Sequence, residues 1–209
     1  SWNKAEISCL VFVSQTPDYK LPATACVLQS RLGLAKECMA FDISLGCSGW
    51  VYGINVIASL LSAGNHKKAL LLVGDAVTTT KSPLDKSTYP LFGDAGTATA
   101  LSFDTEASPI KSCLYTDGGN YEAIIIEDGG ARNPFNAESL EIKEYENGIK
   151  RNRLQSILDG SSVFTFGISK APQCVNNLID NFQIDKDAVD FFVFHQANML
   201  MNEKIRTKL

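Results

Sequence analysis

Short apolar runs alternate with amphipathic or polar stretches along this chain, and that alternation predicts its elements. Residues 7–13 are almost continuously apolar, as expected of a strand covered on both faces. Pro22 suits the first turn of a helix that runs to about Leu32 and closes at Gly33. Residues 39–44 predict a second strand, followed by a tight turn and a helix to about Ala63. That helix holds Trp50, Val51, Ile54, Val56, Ile57, Leu60 and Leu61 over most of its circumference, which predicts a central, buried helix. Residues 69–73 and 97–103 predict two more strands. The succession strand, helix, strand, helix, strand predicts βαβ units with a parallel sheet.

The pattern is weaker farther on. Residues 110–115 and 123–127 predict strands parted by Asp117-Gly118-Gly119. Charge rises over 138–153, where Lys150, Arg151 and Arg153 form a small basic cluster, by default a solvated face. Residues 163–182 have helical spacing, and Pro172 marks where that helix could break. Residues 189–194, rich in Phe, predict a strand that ends at His195, with Gln196-Ala197-Asn198 and a helix after it.

With 209 residues, 45% of them hydrophobic and 20% charged, the chain can bury a substantial core. A net charge of −4 argues against a general nucleic-acid or anionic-membrane surface. No apolar run reaches membrane-spanning length and no signal peptide opens the chain. The six cysteines never form a CxxC pair and there are two histidines, so no metal site is expected. Reduced thiols and a cytoplasmic location are the expectation. The start at Ser1 and the end inside a predicted helix suggest a fragment.

Cys47 stands apart from the other cysteines. It lies between Gly46 and Ser48-Gly49 where a strand turns into a helix. Most free cysteines are small buried hydrophobes. At a helix start, however, the positive end of the macrodipole and the free N–H groups favour a thiolate, and could hold the oxyanion of a thioester under attack. His195 repeats the arrangement, since open α/β sheets place ligands beyond the carboxyl ends of their strands. His66 reads as an exposed turn residue. The turn Phe92-Gly93-Asp94-Ala95-Gly96 lacks a following Lys-Ser/Thr, so it is not a phosphate loop.

The Cys47 segment, the 92–96 turn, Leu158-Asp159-Gly160 with Val163-Phe164, and His195-Gln196-Ala197-Asn198 together resemble β-ketoacyl-acyl carrier protein synthase III. The resemblance implies an α/β fold of the thiolase-like layered αβαβα kind, built from two similar βαβ-containing halves and incomplete here. Residues 1–105 would belong to the first half, with Cys47, and residues 106–209 to the second, with His195. It implies acyl transfer from acyl-CoA to Cys47, then decarboxylating condensation with a malonyl-carrier protein in fatty acid biosynthesis. His195 would hydrogen-bond the malonyl thioester oxygen. A third member, an Asn, lies outside this chain, as do the family's opening strand, its CoA-contacting Trp and Arg, and a late glycine of its oxyanion hole.

The same resemblance implies substrate contacts at Leu21, Lys86, Leu158, Phe164 and Asn198. Leu21 stands where the family often has a Phe closing the acyl pocket across a dimer interface. Lys86 replaces an Arg that contacts CoA, which keeps the charge and loses the bidentate fork. Leu200 replaces an Arg near the histidine, which puts ordinary carrier-protein docking in question. Acyl carrier protein, acyl-CoA and a second copy of the chain, paired through 39–44, are the implied partners, with no cofactor. Two alternatives remain: acyl transfer to an oxygen or nitrogen acceptor, and a non-catalytic thiolase-fold binding protein. A papain-like hydrolase lacks its local signature here.

Overall fold

The computed structural model describes residues 2–209, which form two compact units. The first comprises residues 2–77 and 93–110, the second Thr78–Phe92 and Lys111–Leu209.

In the first unit, β1 (Cys9–Val13), α1 (Thr24–Leu32), β2 (Met39–Ile43), α2 (Gly49–Ser62), β3 (Lys68–Asp75) and β4 (Ala95–Ser102) follow one another along the chain. They build a four-stranded sheet in the order β2-β1-β3-β4. The β1–β2 and β1–β3 pairs are parallel, as the βαβ pattern predicts. β4 joins β3 antiparallel, an edge the pattern did not specify.

Period-two alternation sorts the strand residues between two faces. Cys9, Val11, Val13, Ala69 and Leu71 pack with Ile57 and Leu61 of α2. Leu10 packs with Ala25, Leu34 and Cys38 on the side of α1. Leu10, Ile57 and Leu71 are wholly buried, each worth roughly 1.5–3 kcal/mol in area removed from water.

Two expectations change in this unit. α1 begins at Thr24, so Pro22 precedes the helix, and the α1 start is capped from β2: Asp42 accepts the Thr24 and Ala25 N–H groups, both at 2.7 Å. α2 is not buried on all sides. Only Gly49, Gly53, Ile57 and Leu61, one stripe at four-residue spacing, are buried, while Trp50 and Val51 are about half exposed. The sheet covers a single face of this helix.

In the second unit, β5 (Ile124–Ile125), β6 (Lys143–Glu144), β7 (Lys150–Arg151), β8 (Ile157–Leu158), α3 (Gly160–Phe182) and α4 (Met199–Arg206) follow in order. β5 pairs β8 and β6 pairs β7, both antiparallel. The strand expected over 110–115 does not form, and that over 123–127 shortens to two residues. The basic cluster is not a free solvated face, since each cation has a carboxylate partner. Lys150 meets Glu144, Arg151 meets the buried Asp85, and Arg153 meets Asp128 and Glu127. Segment 78–92 is tied to the same region by Ser156 N–H to the Thr80 carbonyl and by the Ser82 hydroxyl to the Lys150 carbonyl.

α3 starts three residues earlier than its apolar spacing suggests, because Asp159 caps it by accepting from Ser161 and Ser162 N–H. It also runs unbroken through Pro172. Proline at this position removes the bond to the residue 168 carbonyl, and Lys208 Nζ donates to that same Ile168 oxygen at 2.8 Å. Residues 189–194 take no regular secondary structure and join no sheet among the described residues. Phe191 and Val193 are almost fully exposed there, and the rings of Phe192 and Phe194 stack at 6.4 Å. The strand expected before His195 is thus an unpaired segment. Among the described residues no helix is long and apolar enough to cross a membrane.

Candidate active site

Cys47 sits where the sequence puts it, in the turn between β2 and α2, one residue before the Ser48 N-cap, and it is exposed. The turn closes with Gly49 N–H donating to the Gly46 carbonyl at 2.7 Å. The N-cap Ser48 makes no side-chain cap bond and the first turn of α2 holds no acidic residue, so the positive end of the helix dipole stands beside the thiol with no carboxylate in that turn to offset it. The buried thiols contrast with it. Burial pushes Cys9 up to about 11 and shifts Cys38 in the same direction.

Glycine lets α2 lie close to the sheet. A Cβ on Gly49 would come within 2.5 Å of Val13 Cγ1, and one on Gly53 within 2.5 Å of Leu71 Cδ1. Val13 ends β1, so the start of α2 is held at the carboxyl edge of the sheet, the side on which such sheets present reactive groups. Trp50 Nε1–H donates to Thr99 Oγ1 of β4 at 3.0 Å and ties the first turn from another side.

Three strand exits are laced together beneath this turn, a feature the sequence reading missed. Ser14 N–H donates to the Ile43 carbonyl at 3.1 Å, joining the exits of β1 and β2. Asp75, last residue of β3, accepts through Oδ1 from Ser14 Oγ (2.8 Å), Gln15 N–H (2.7 Å), Thr16 N–H (3.1 Å) and Thr16 Oγ1 (3.1 Å). Ala76 N–H donates to Thr16 Oγ1 at 2.8 Å. A Ser-Gln-Thr run after one strand and a Gly-Asp at the end of another were the available signal.

Leu21, the other proposed contact in the first unit, is strongly exposed and follows the Pro-bearing loop before α1. Lys86, Leu158, Phe164, His195 and Asn198 belong to the second unit. His195 is exposed at the end of the unpaired segment. Asn198 is the N-cap of α4, its Oδ1 accepting Met201 N–H at 2.8 Å, so this side chain orients the helix that follows His195. Leu158 lies in β8 opposite Ile124, and Phe164 lies near the start of α3. Between them Asp159 is held below the usual carboxylate range, first by the Ser162 hydroxyl and then by the Ser162 N–H. Lys86 is exposed beside the buried Asp85. His66, read as a turn residue, follows α2 with Nδ1 3.2 Å from Ser8 Oγ. Among the described residues no three His, Cys, Asp or Glu side chains cluster as a metal site would require.

Residues 41–118, which include Cys47, match the family model for 3-oxoacyl-[acyl-carrier-protein (ACP)] synthase III. The chain is 28% identical over 208 residues to the β-ketoacyl-acyl carrier protein synthase III of Streptococcus agalactiae strain NEM316, a match covering all of this chain and 60% of that protein. A crystal structure of 3-oxoacyl-(acyl-carrier-protein) synthase III shares its fold with a TM-score of 0.94 at 32% identity, over 99% of this chain and 62% of the other. A 3-oxoacyl-(acyl-carrier protein) synthase from Burkholderia xenovorans LB400 gives 0.83 at 37% identity, over 99% and 58%. The chain therefore spans about three-fifths of the length of the relatives it matches, and its α/β architecture is theirs.

Proposed function

We propose that this chain is of the β-ketoacyl-acyl carrier protein synthase III type, within the thiolase superfamily, a reading its relatives support, and that it serves an acyltransferase that extends an acyl group by condensation. The observation that carries this reading is the exposed Cys47 in a glycine turn at the start of α2, within the segment that matches the family. Residues 1–105 and 106–209 would be parts of the two thiolase-like halves.

The Cys47 thiolate attacks the thioester carbonyl of an acyl-CoA. Its S–C bond forms, the CoA thiolate leaves and takes up a proton, and an acyl-enzyme remains. N–H groups at the start of α2 lie beside the place where the tetrahedral oxyanion develops. A malonyl group on acyl carrier protein then loses carbon dioxide. His195 donates a hydrogen bond to its thioester oxygen, which stabilises the enolate. The enolate carbon bonds to the acyl carbon, the S–C bond to Cys47 breaks, and the thiolate returns with release of a 3-oxoacyl-carrier protein. The chemistry needs no cofactor, because thioesters supply both the electrophile and the carbanion.

Leu21, Lys86, Leu158, Phe164 and Asn198 are the proposed substrate contacts. Lys86 has the charge for a CoA phosphate. Asn198 does two things in this reading, since its Oδ1 is committed to capping α4. The partners are acyl-CoA, acyl carrier protein and a second copy of the chain, and the setting is fatty acid synthesis in the cytoplasm.

The test is intact-mass measurement of the complete protein after incubation with a panel of acyl-CoAs, with Cys47→Ala as control. A gain of one acyl group, lost in the control, is the expected result and ranks chain lengths. A folded protein with an alkylatable Cys47 that takes no acyl group from any acyl-CoA would overturn the proposal.

A further inference from the structure

Asp75, at the end of β3, binds the exit of β1, and Ser14 of that exit holds the end of β2 through the Ile43 carbonyl; nothing in the acyl-transfer chemistry calls for Asp75. Its Oδ1 gathers four donors from three consecutive residues, two of them backbone N–H groups. One carboxylate oxygen has two lone pairs, so these bonds share it, and the Thr16 N–H also donates to Ser14 Oγ at 2.9 Å; a charged acceptor strengthens such bonds. The bonds fix loop 14–16 against the end of β3, and Ala76 N–H to Thr16 Oγ1 closes the link from the other side.

The loop in turn touches the nucleophile's own turn. Gln15 Oε1 lies where a Cβ on Gly46 would stand, 2.5 Å from it, and the rest of the Gln15 carboxamide lines the same position. Gly46 is bonded to Cys47 and its carbonyl closes the turn with Gly49 N–H. Ser14 N–H holds the Ile43 carbonyl on the approach to that turn. Contact thus runs from Asp75 through Gln15 to Gly46 and Cys47, by hydrogen bonds at one end and packing at the other.

We infer that Asp75, acting through Gln15, is a positioning residue for Cys47, fixing the thiol at the start of α2. The inference rests on Cys47 being the nucleophile. Displacing a reacting atom by about an ångström can cost about a hundredfold in rate, so a network that fixes the Gly46 backbone has a direct consequence for turnover. The charge of Asp75 by itself disfavours a thiolate nearby, so its place here is explained by the geometry it imposes.

The experiment compares the complete protein with its Asp75→Ala, Asp75→Asn and Gln15→Ala variants. Iodoacetamide alkylation of Cys47 is followed by intact mass across pH, and kcat and KM are measured with the acyl-CoA that acylates best. Asp75→Ala should lower kcat about tenfold or more with KM changed by no more than about twofold, because binding is intact and placement is lost. Its alkylation midpoint should move to higher pH as the thiol leaves the helix start. Loss of the carboxylate charge alone would move that midpoint to lower pH, so the sign separates the two causes. Asp75→Asn, which keeps an acceptor oxygen, should recover much of the loss. Gln15→Ala should shift both readouts in the same direction by less, and it decides the matter where Asp75→Ala does not fold. Unchanged kcat and an unchanged alkylation midpoint in Gln15→Ala and in a folded Asp75→Ala would overturn the inference, whatever the melting temperatures. A parent protein that alkylates at Cys47 but never acylates would sink the functional reading instead, and the alkylation midpoints would still judge Asp75.

Discussion

The two units are held together by different physics. Among the described residues, most of the buried apolar side chains belong to the first unit, where they pack on the two faces of one sheet. The second unit buries mainly polar groups: Lys81, Ser82, Asp85, Thr88, Asp128, Ser139 and Ser156, beside the apolar Pro172, Met201 and Ile205. Its buried charged groups have polar or aromatic partners, although Arg151 Nε is buried without a hydrogen bond. Lys81 Nζ donates to Ser156 Oγ and lies 3.8 Å over the Phe92 ring. Asp128 accepts from Ser139 Oγ and from both Nε and Nη2 of Arg153. Arg151 reaches Asp85 and lies 4.2 Å over the Tyr145 ring. Apolar packing is insensitive to pH and suffers from lost volume, whereas a polar interior depends on each partner and on pH. The nucleophile candidate stands on the first kind of support.

The sharpest break should come from the second unit. Arg151→Ala leaves Asp85 buried without its cation and should cost about 3–5 kcal/mol in denaturant unfolding, with a pairing of Asp85→Asn and Arg151→Met costing much less. In the first unit Leu71→Ala removes volume between β3 and α2 and should cost about 2–5 kcal/mol by the same measurement, with no change in its pH dependence.

Acid should tell the units apart. Burial pushes Asp85 up, but hydrogen bonds from Ser87 and the Arg151 charge outweigh it, so its native pKa lies below the ordinary value. Asp128 is lowered too, first by Arg153 and then by Ser139. A depressed native pKa means that the folded form binds fewer protons. The stabilisation is present above the unfolded-chain value of about 3.9 and is lost as pH falls through the native value. Hydrogen exchange followed by mass spectrometry should therefore show amides of 78–92 and 143–158 losing protection below about pH 4 before those of β1 and β3. Simultaneous loss in both units would break the comparison. The smallest effect belongs to Lys150→Ala, whose exposed pair with Glu144 should change unfolding by no more than about 1 kcal/mol.

What the sequence determined by itself is what short-range spacing controls. Short, nearly continuous apolar runs marked β1, β2 and β3, the glycines around Cys47 marked the turn, and Gly33 closed α1 in the left-handed conformation, with φ at 65°. These follow from covalent geometry and from which side chains can share a face. Only the tertiary structure decided the partners. Asp42 is an acidic residue in an apolar strand until α1 places its free N–H groups opposite it. Lys150, Arg151 and Arg153 read as a basic patch because their carboxylates are distant in sequence or on the facing strand. Pro172 predicts a break until Lys208 supplies the donor that its ring removes. The Phe-rich segment before His195 has every local feature of a strand, but a strand exists only when another pairs with it. Asp75 was silent for the same reason: its four donors come from the exit of another strand, and chain folding alone brings them to one oxygen.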